Sequence, residues 1–367
     1  MEYIFEDILE IKNGKNQKAV ENPNGKYPIY GSGGVMGYAD DYICEPDTVI
    51  IGRKGNINHP IYVDEAFWNV DTAFGLQAKR EILNPRYLFY FCKRFDFEKL
   101  NKTVTIPSLT KSDLLKIKIN LPETTEQFAI VEKLTKLEGI IDLRKQELNT
   151  FDNLIKARFV EMFGDPIINS ENLPTMPMTE VCEIIDGDRG KNYPTADEFS
   201  DDGYCLFLNA KNVTASGFNF DNCMYVSKEK DEALRKGKLS RGDVVLTTRG
   251  TLGNLAFYTD EVPFENVRIN SGMVILRMKQ EVVDEVYFIE QFKLQLDDIK
   301  EKIASGSAQP QLPISTMNKI QVLIPDIDKQ REFAEFIKQI DKSKIAVQKS
   351  LEETQTLFDS LMQEYFG

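Results

Sequence analysis

The 367-residue chain carries 45 Lys and Arg against 58 Asp and Glu, a formal net charge of −13. That balance argues against a surface coated in basic residues for non-specific nucleic-acid binding, although a local positive face can coexist with an acidic remainder. Hydrophobic residues make up 42%, enough for two or three domains with cores of their own, and no run of 18 apolar residues suggests a membrane span. The start, MEYIFEDILEIKNGK, has no basic segment followed by an apolar one, so a cytoplasmic protein is expected. The five cysteines (Cys44, Cys92, Cys182, Cys205, Cys223) form no CxxC pair. Scattered, odd in number and accompanied by the single histidine His59, they read as reduced thiols rather than a zinc site.

In chain order, the first candidate loop is Lys12-Asn13-Gly14-Lys15. GSGGVMG (31–37) has Met36 where a dinucleotide fingerprint needs glycine, and reads as a turn or β-bulge. TVIIG then forms a β-branched strand running into a loop with Arg53, Lys54, Asn56 and Asn58 spaced around Gly55. Asn84-Pro85-Arg86-Tyr87 is the nearest approach to an amino-methyltransferase loop, but it suits a helix start better, with Asn84 as the cap and Pro85 in the first turn. RYLFYFCKRF (86–95) is an amphipathic helix. Ile117, Ile119 and Leu121 alternate as a strand that ends at Pro122. A run of about forty residues without proline follows, with Ile130, Leu134, Leu137, Ile141, Leu148, Phe151 and Ile155 at spacings of three and four.

The second half repeats this plan. At one constant offset, Pro107 meets Pro310, Leu109 meets Leu312, Lys116-Ile117 meets Lys319-Ile320, and Gln127 meets Gln330. The match runs ungapped to Phe163-Gly164 and Phe366-Gly367. Its strand is Ile320, Val322 and Ile324, and its helix carries Phe333, Ile337, Ile340, Val347, Leu351, Phe358 and Leu361. Upstream the likeness is looser. TVIIGRKGNIN (48–58) resembles VVLTTRGTLGN (244–254), FWNVDTAFGLQAK (67–79) resembles NVRINSGMVILRM (266–278), and 86–95 resembles 286–296. Candidate loops here carry Arg189 and Lys191 after Asp188, Lys211, and Arg249, Thr251 and Asn254. Glycine-spaced Arg, Lys and Asn suit close approach to phosphates and two-hydrogen-bond readout of guanine and adenine.

A helix of about forty residues is about 60 Å long, too long for one small domain, and the chain contains one matched partner for its seam. Packing on the separate domains and a homodimeric coiled coil are the other uses of such a helix. No GxxxxGK[ST] loop is present, the Glu10-Ile11-Lys12 triplet lacks a placed Asp, and His59 alone supports no Ser-His-Asp site.

These features resemble the specificity subunit of type I restriction–modification systems. The resemblance rests on GSGGVMGYADDY, DTVIIGRKGNI, FWNVDTAFGL, the junctions NLPETTEQFAIVEKL and LIPDIDKQREFAEFI, and the helix ends FDNLIKARFVEMFGDP and LFDSLMQEYFG. It implies two α/β (α+β) target-recognition domains, 1–122 and 166–325, each followed by a helical repeat, 123–165 and 326–367. The two long helices would form an antiparallel coiled coil through Leu134, Leu137, Ile141, Leu148, Ile155, Ile337, Ile340, Val347, Leu351 and Phe358. The chain would be non-catalytic and would read a bipartite double-stranded DNA target. Two adenine-N6 methyltransferase subunits using S-adenosylmethionine would dock on it, with two restriction/motor subunits using ATP and Mg, and it would hold no cofactor or metal itself. DNA contacts would come from Lys12, Lys15, Arg53, Lys54, Asn56, Asn58, Arg189, Lys191, Lys211, Arg249, Thr251 and Asn254. A stand-alone DNA-binding regulator, or a DNA-modifying enzyme, is the alternative.

Overall fold

A computed structural model describes residues 1–101, 106–279, 281–304 and 311–367. Pro310, one of the residues matched in the repeat, lies outside them. The chain divides into two compact units, 1–147 with 347–367, and 148–346.

In the first unit β1 (Glu2–Ile4) and the single turn α1 (Phe5–Ile8) lead into β2 (Leu9–Asn13). The strands that follow are β3 (Tyr27–Gly31), β4 (Gly34–Ala39), β5 (Thr48–Gly52), β6 (Ile61–Val63), β7 (Trp68–Asn69) and β8 (Ala73–Ala78). Then come α2 (Pro85–Arg94), α3 (Lys111–Leu114), β9 (Lys118–Asn120) and the long helix α4 (Thr124–Phe163). An antiparallel sheet has the order β2-β8-β5-β6, a smaller mixed sheet the order β4-β3-β7 with β3 and β7 parallel, and β9 pairs with β1. All of β5 is buried, because its two faces serve two cores. Val49 and Ile51 join the core under α2, and Ile50 joins Cys44, Phe67 and Ala73. The GSGG segment is the β3–β4 hairpin, with a register shift at Ile29/Tyr30.

The second unit repeats the order. Its elements are β10 (Thr175–Pro177), α5 (Met178–Val181), β11 (Cys182–Asp186), β12 (Cys205–Leu208), β13 (Val213–Thr214), β14 (Gly217–Phe218), β15 (Tyr225–Val226) and α6 (Lys228–Ala233). These are followed by β16 (Asp243–Thr247), β17 (Leu255–Phe257), β18 (Val267–Ile269), β19 (Met273–Met278), α7 (Glu285–Ala304), α8 (Ile314–Met317), β20 (Gln321–Leu323) and the second long helix α9 (Ile327–Phe366). Sheets β11-β19-β16-β17 and β15-β12-β18 correspond to those of the first unit. The insertion between β12 and β15 adds the β13–β14 hairpin, and here no GSGG turn exists.

Each unit combines one recognition head, the beginning of the helix that follows it and the end of the other helix. In the first unit Ile130, Leu134 and Ile141 of α4 share a core with Phe358 and Met362 of α9, with Leu137 and Leu351 packed against it. The last turn of α9 lays Phe366 against Tyr87, 4.9 Å between ring centroids. In the second unit Ile155, Phe159 and Phe163 of α4 share a core with Phe333 and Ile337 of α9, with Ile340 alongside. Phe163 meets Tyr287 at the same 4.9 Å. Asp152 pairs with Lys344 at 2.7 Å and Arg158 with Glu332 at 3.3 Å. Numbers rise along one helix as they fall along the other, so the pairing is antiparallel. Of the other expected seam residues, Val347 is buried and Leu148 half-buried. The helices also bury against the heads, so head packing and helix pairing occur together rather than as alternatives. Gly164, at φ +73°, ends α4 as a left-handed C-terminal residue does.

Candidate nucleic-acid interface

The turn joining β7 to β8 organises the first head's loops. Gly14 comes so close to it that a Cβ would lie 1.8 Å from the Val70 carbonyl oxygen, and the Lys15 N–H donates to the Asn69 carbonyl at 2.8 Å. Arg53 N–H donates to Thr72 at 2.8 Å, and the Arg53 carbonyl accepts from Leu109 at 2.9 Å. Gly55, at φ +79°, donates to Pro107. The β3–β4 hairpin reaches the same place, since Ser32 Cβ lies 3.1 Å from where a side chain on Gly52 would begin. Lys15, Arg53, Lys54 and Asn56 are thus exposed together. The Arg53 guanidinium is steadied over the Phe74 ring at 5.7 Å. Lys12 sits back on β2, paired with Glu10 at 2.7 Å. Asn58 is occupied internally: its Oδ1 accepts from Phe97 N at 2.7 Å and its Nδ2 donates to Asp96.

The second head builds the same arrangement on the turn 270–272. Thr248 N–H donates to Gly272 at 2.8 Å, and the Thr248 carbonyl accepts from Leu312 at 3.1 Å. Lys54 bridges to Ser108, and Arg249 to Gln311. Because Leu109 and Leu312 are equivalent in the ungapped repeat, Arg53 corresponds to Thr248 and Lys54 to Arg249. The sequence match of Arg53 with Arg249 is therefore off by one residue. What fixes the register is the left-handed glycine, Gly55 in one head and Gly250 at φ +72° in the other. The β2-end loop shifts likewise. Gly187 makes the close approach of Gly14, with a Cβ 2.2 Å from the Asn270 carbonyl oxygen, so Asp188 takes the place of Lys15. Its carboxylate is buried and accepts from the N–H groups of Gly190 at 2.8 Å and Arg235 at 2.7 Å. These bonds hold it below the usual carboxylate range.

Arg189 bonds to Asp186 at 3.1 Å and to the Ser271 carbonyl at 3.2 Å, which brings it to the same turn as Arg249. Lys191 is exposed. Lys211, Thr251 and Asn254 belong to a separate edge. The Asn254 side chain is a tie, donating to the Val213 carbonyl at 2.9 Å. The Thr251 carbonyl accepts from Thr247 Oγ1 at 2.5 Å, which leaves the Thr251 side chain exposed. Among the described residues, Lys15, Arg53, Lys54, Lys191, Lys211 and Arg249 take part in no ion pair, although pairs such as Lys93–Glu138 and Arg277–Asp243 neutralise cations elsewhere.

Asn84 caps α2 by accepting from Arg86 and Tyr87 N–H, with Pro85 in the first turn, so this stretch is a helix start rather than a methyltransferase loop. Burial pushes the Cys44, Cys182 and Cys205 thiols up to about 12, far from reactive thiolates. Among the described residues no His/Cys/Asp/Glu cluster could hold a metal ion, and no helix is long and apolar enough to cross a membrane.

Two diverged heads on matched helices, each presenting at least one unpaired cation at a glycine-set turn, form an arrangement suited to DNA recognition. Residues 2–151 and 171–355 match the type I restriction modification DNA specificity domain, and the chain belongs to that family. It supplies DNA specificity to a type I system and is a non-catalytic component of it. The Methanocaldococcus jannaschii type I restriction enzyme MjaVIII specificity subunit is 22% identical, over 80% of this chain and 69% of the relative. The Escherichia coli EcoBI specificity subunit is 20% identical, over 93% and 77%. The fold is shared with the S subunit from M. genitalium, with a TM-score of 0.64 at 19% identity, covering 100% of this chain and 96% of that one.

Proposed function

We propose that each head reads one half of a bipartite double-stranded DNA target. The supporting observation is the duplicated turn, which carries Lys15, Arg53, Lys54 and Asn56 in the first head and Arg249, beside an Asp186-paired Arg189, in the second. Phosphates would meet Lys15, Lys54, Lys191 and Lys211, and base edges would meet Arg53, Asn56 and Arg249. Asn58 and Asn254 support loop geometry instead of touching bases. Two adenine-N6 methyltransferase subunits would dock on the helices and heads, and two restriction/motor subunits would complete the complex. S-adenosylmethionine, ATP and Mg would be bound by those partners in the cytoplasm. The test is methylome sequencing of a host carrying the system with residues 1–122 replaced by another family member's first head. One half of the methylated target is expected to change; a change in both halves overturns the assignment.

A further inference from the structure

Gln127 and Gln330 are buried glutamines, 1% and 0% exposed, in the first turn of α4 and α9. Burying an amide is unfavourable unless its donors and acceptor are all used, and here they are used identically. Gln127 Oε1 accepts from Asn84 N at 2.9 Å, and its Nε2 donates to the carbonyls of Ile82 at 3.0 Å and Pro122 at 3.1 Å. Gln330 Oε1 accepts from Asp284 N at 3.0 Å, and its Nε2 donates to Pro325 at 2.9 Å and Val282 at 3.5 Å. The residue seized on the head is in both units the cap of its amphipathic helix. Asn84 accepts from Arg86 and Tyr87 N–H, and Asp284 from Val286 and Tyr287 N–H.

All six bonds from the glutamines go to main-chain groups. The joint therefore depends on the path of the head's backbone and not on its side chains. The heads around it have diverged: Trp68, whose indole donates to Lys15 O, is replaced at the equivalent strand position by Arg268, which is buried against Asp231.

We propose that Gln127 and Gln330 are positioning residues that fix the orientation of each head on its helix, through a joint that accepts any head presenting an Asx-capped helix at this point. The inference rests on the bipartite reading above, because the orientation of a head governs the spacing at which its half-site is accepted.

The test uses the complex reconstituted with its methyltransferase subunits, on duplexes that differ either by one base pair in the spacer or by one base in a half-site. Gln127→Met keeps the side-chain volume and removes all three bonds. Its preference for the natural spacer should fall about tenfold, equivalent to about 1.4 kcal/mol, while discrimination against a wrong half-site base stays near that of the unaltered protein. Gln330→Met should do the same from the other head. A folded variant with unchanged spacer preference, or one in which both discriminations fall together, overturns the proposal. Asn84→Asp, which copies the second head's cap, should leave target and spacer unaltered even where the Met variants fold poorly; an altered target or spacer shows that side chains are read and overturns the main-chain joint. Should the unaltered complex recognise no bipartite target, the functional reading fails independently of the variants.

Discussion

Arg249 and Lys15 are expected to fail in different ways when changed. Arg249 is exposed, unpaired and set by Gly250 at the rim of the turn. As a base-reading residue, its replacement in Arg249→Gln should relax one position of one half-site, by about 1–3 kcal/mol, in a methylation assay over single-base target variants. Uniform weakening across all those variants would make it a phosphate contact instead. Lys15→Ala should weaken every sequence alike and lower the slope of log affinity against log salt by about one; an unchanged slope excludes a phosphate contact. Asp188 is a structural counterpart. Its carboxyl is held below the ordinary 3.8 by N–H donors, so it favours the folded state above that value and loses the contribution as pH falls through the depressed one. Asp188→Asn should therefore reduce stability at pH 7 more than at pH 3 in denaturant titrations, and an equal loss at both excludes the charge effect. The cations of these loops were visible in the sequence, but the correspondence between the two heads was not. Two Arg-Gly pairs invited alignment by identity, whereas the backbone aligns the glycines that adopt positive φ and carries the arginine one place along.

At the scale of elements, α4 and α9 were the most legible features, since apolar spacing over forty residues is a local signal. The sheets were visible as strands but not as an order, because the pairings of β2 with β8 and of β3 with β7 join distant segments and leave no periodic trace. Sharing of each unit between the beginning of one helix and the end of the other was also hidden, as it lies in contacts such as Tyr87–Phe366 and Tyr287–Phe163. That sharing sharpens the expected effect of lengthening a helix. Extra residues in α4 alone would shift Leu134 and Ile141 relative to Phe358, or Ile155 relative to Ile337. Four residues inserted both after Glu147 and after Ala346, at the boundaries of the compact units, leave each unit's own contacts intact. At 1.5 Å per residue this adds about 6 Å, or about two base pairs of spacer. Methylome sequencing should find both half-sites unchanged and the spacer longer, and an unchanged spacer would exclude the helices as its ruler.

For the whole molecule the governing quantity is the net charge of −13 set against the local cations at each head's turn. Affinity for a duplex arises chiefly from counterions released at neutralised phosphates, and long-range repulsion from an acidic remainder opposes approach. A chain of this net charge is expected to hold its target weakly on its own and to gain most of its affinity from basic surface on its partner subunits. The sequence preference should nevertheless reside in this chain, because base-edge contacts are short-range and barely affected by the remote charge. Fluorescence anisotropy over a salt series can separate the two. The assembled complex should show both higher affinity and a steeper log–log salt slope than the isolated chain, while the affinity ratio between cognate and single-base-altered targets stays similar in both. Equal slopes with and without partners would mean that this chain makes the phosphate contacts itself, and a base preference present only in the complex would place the readout on the partners.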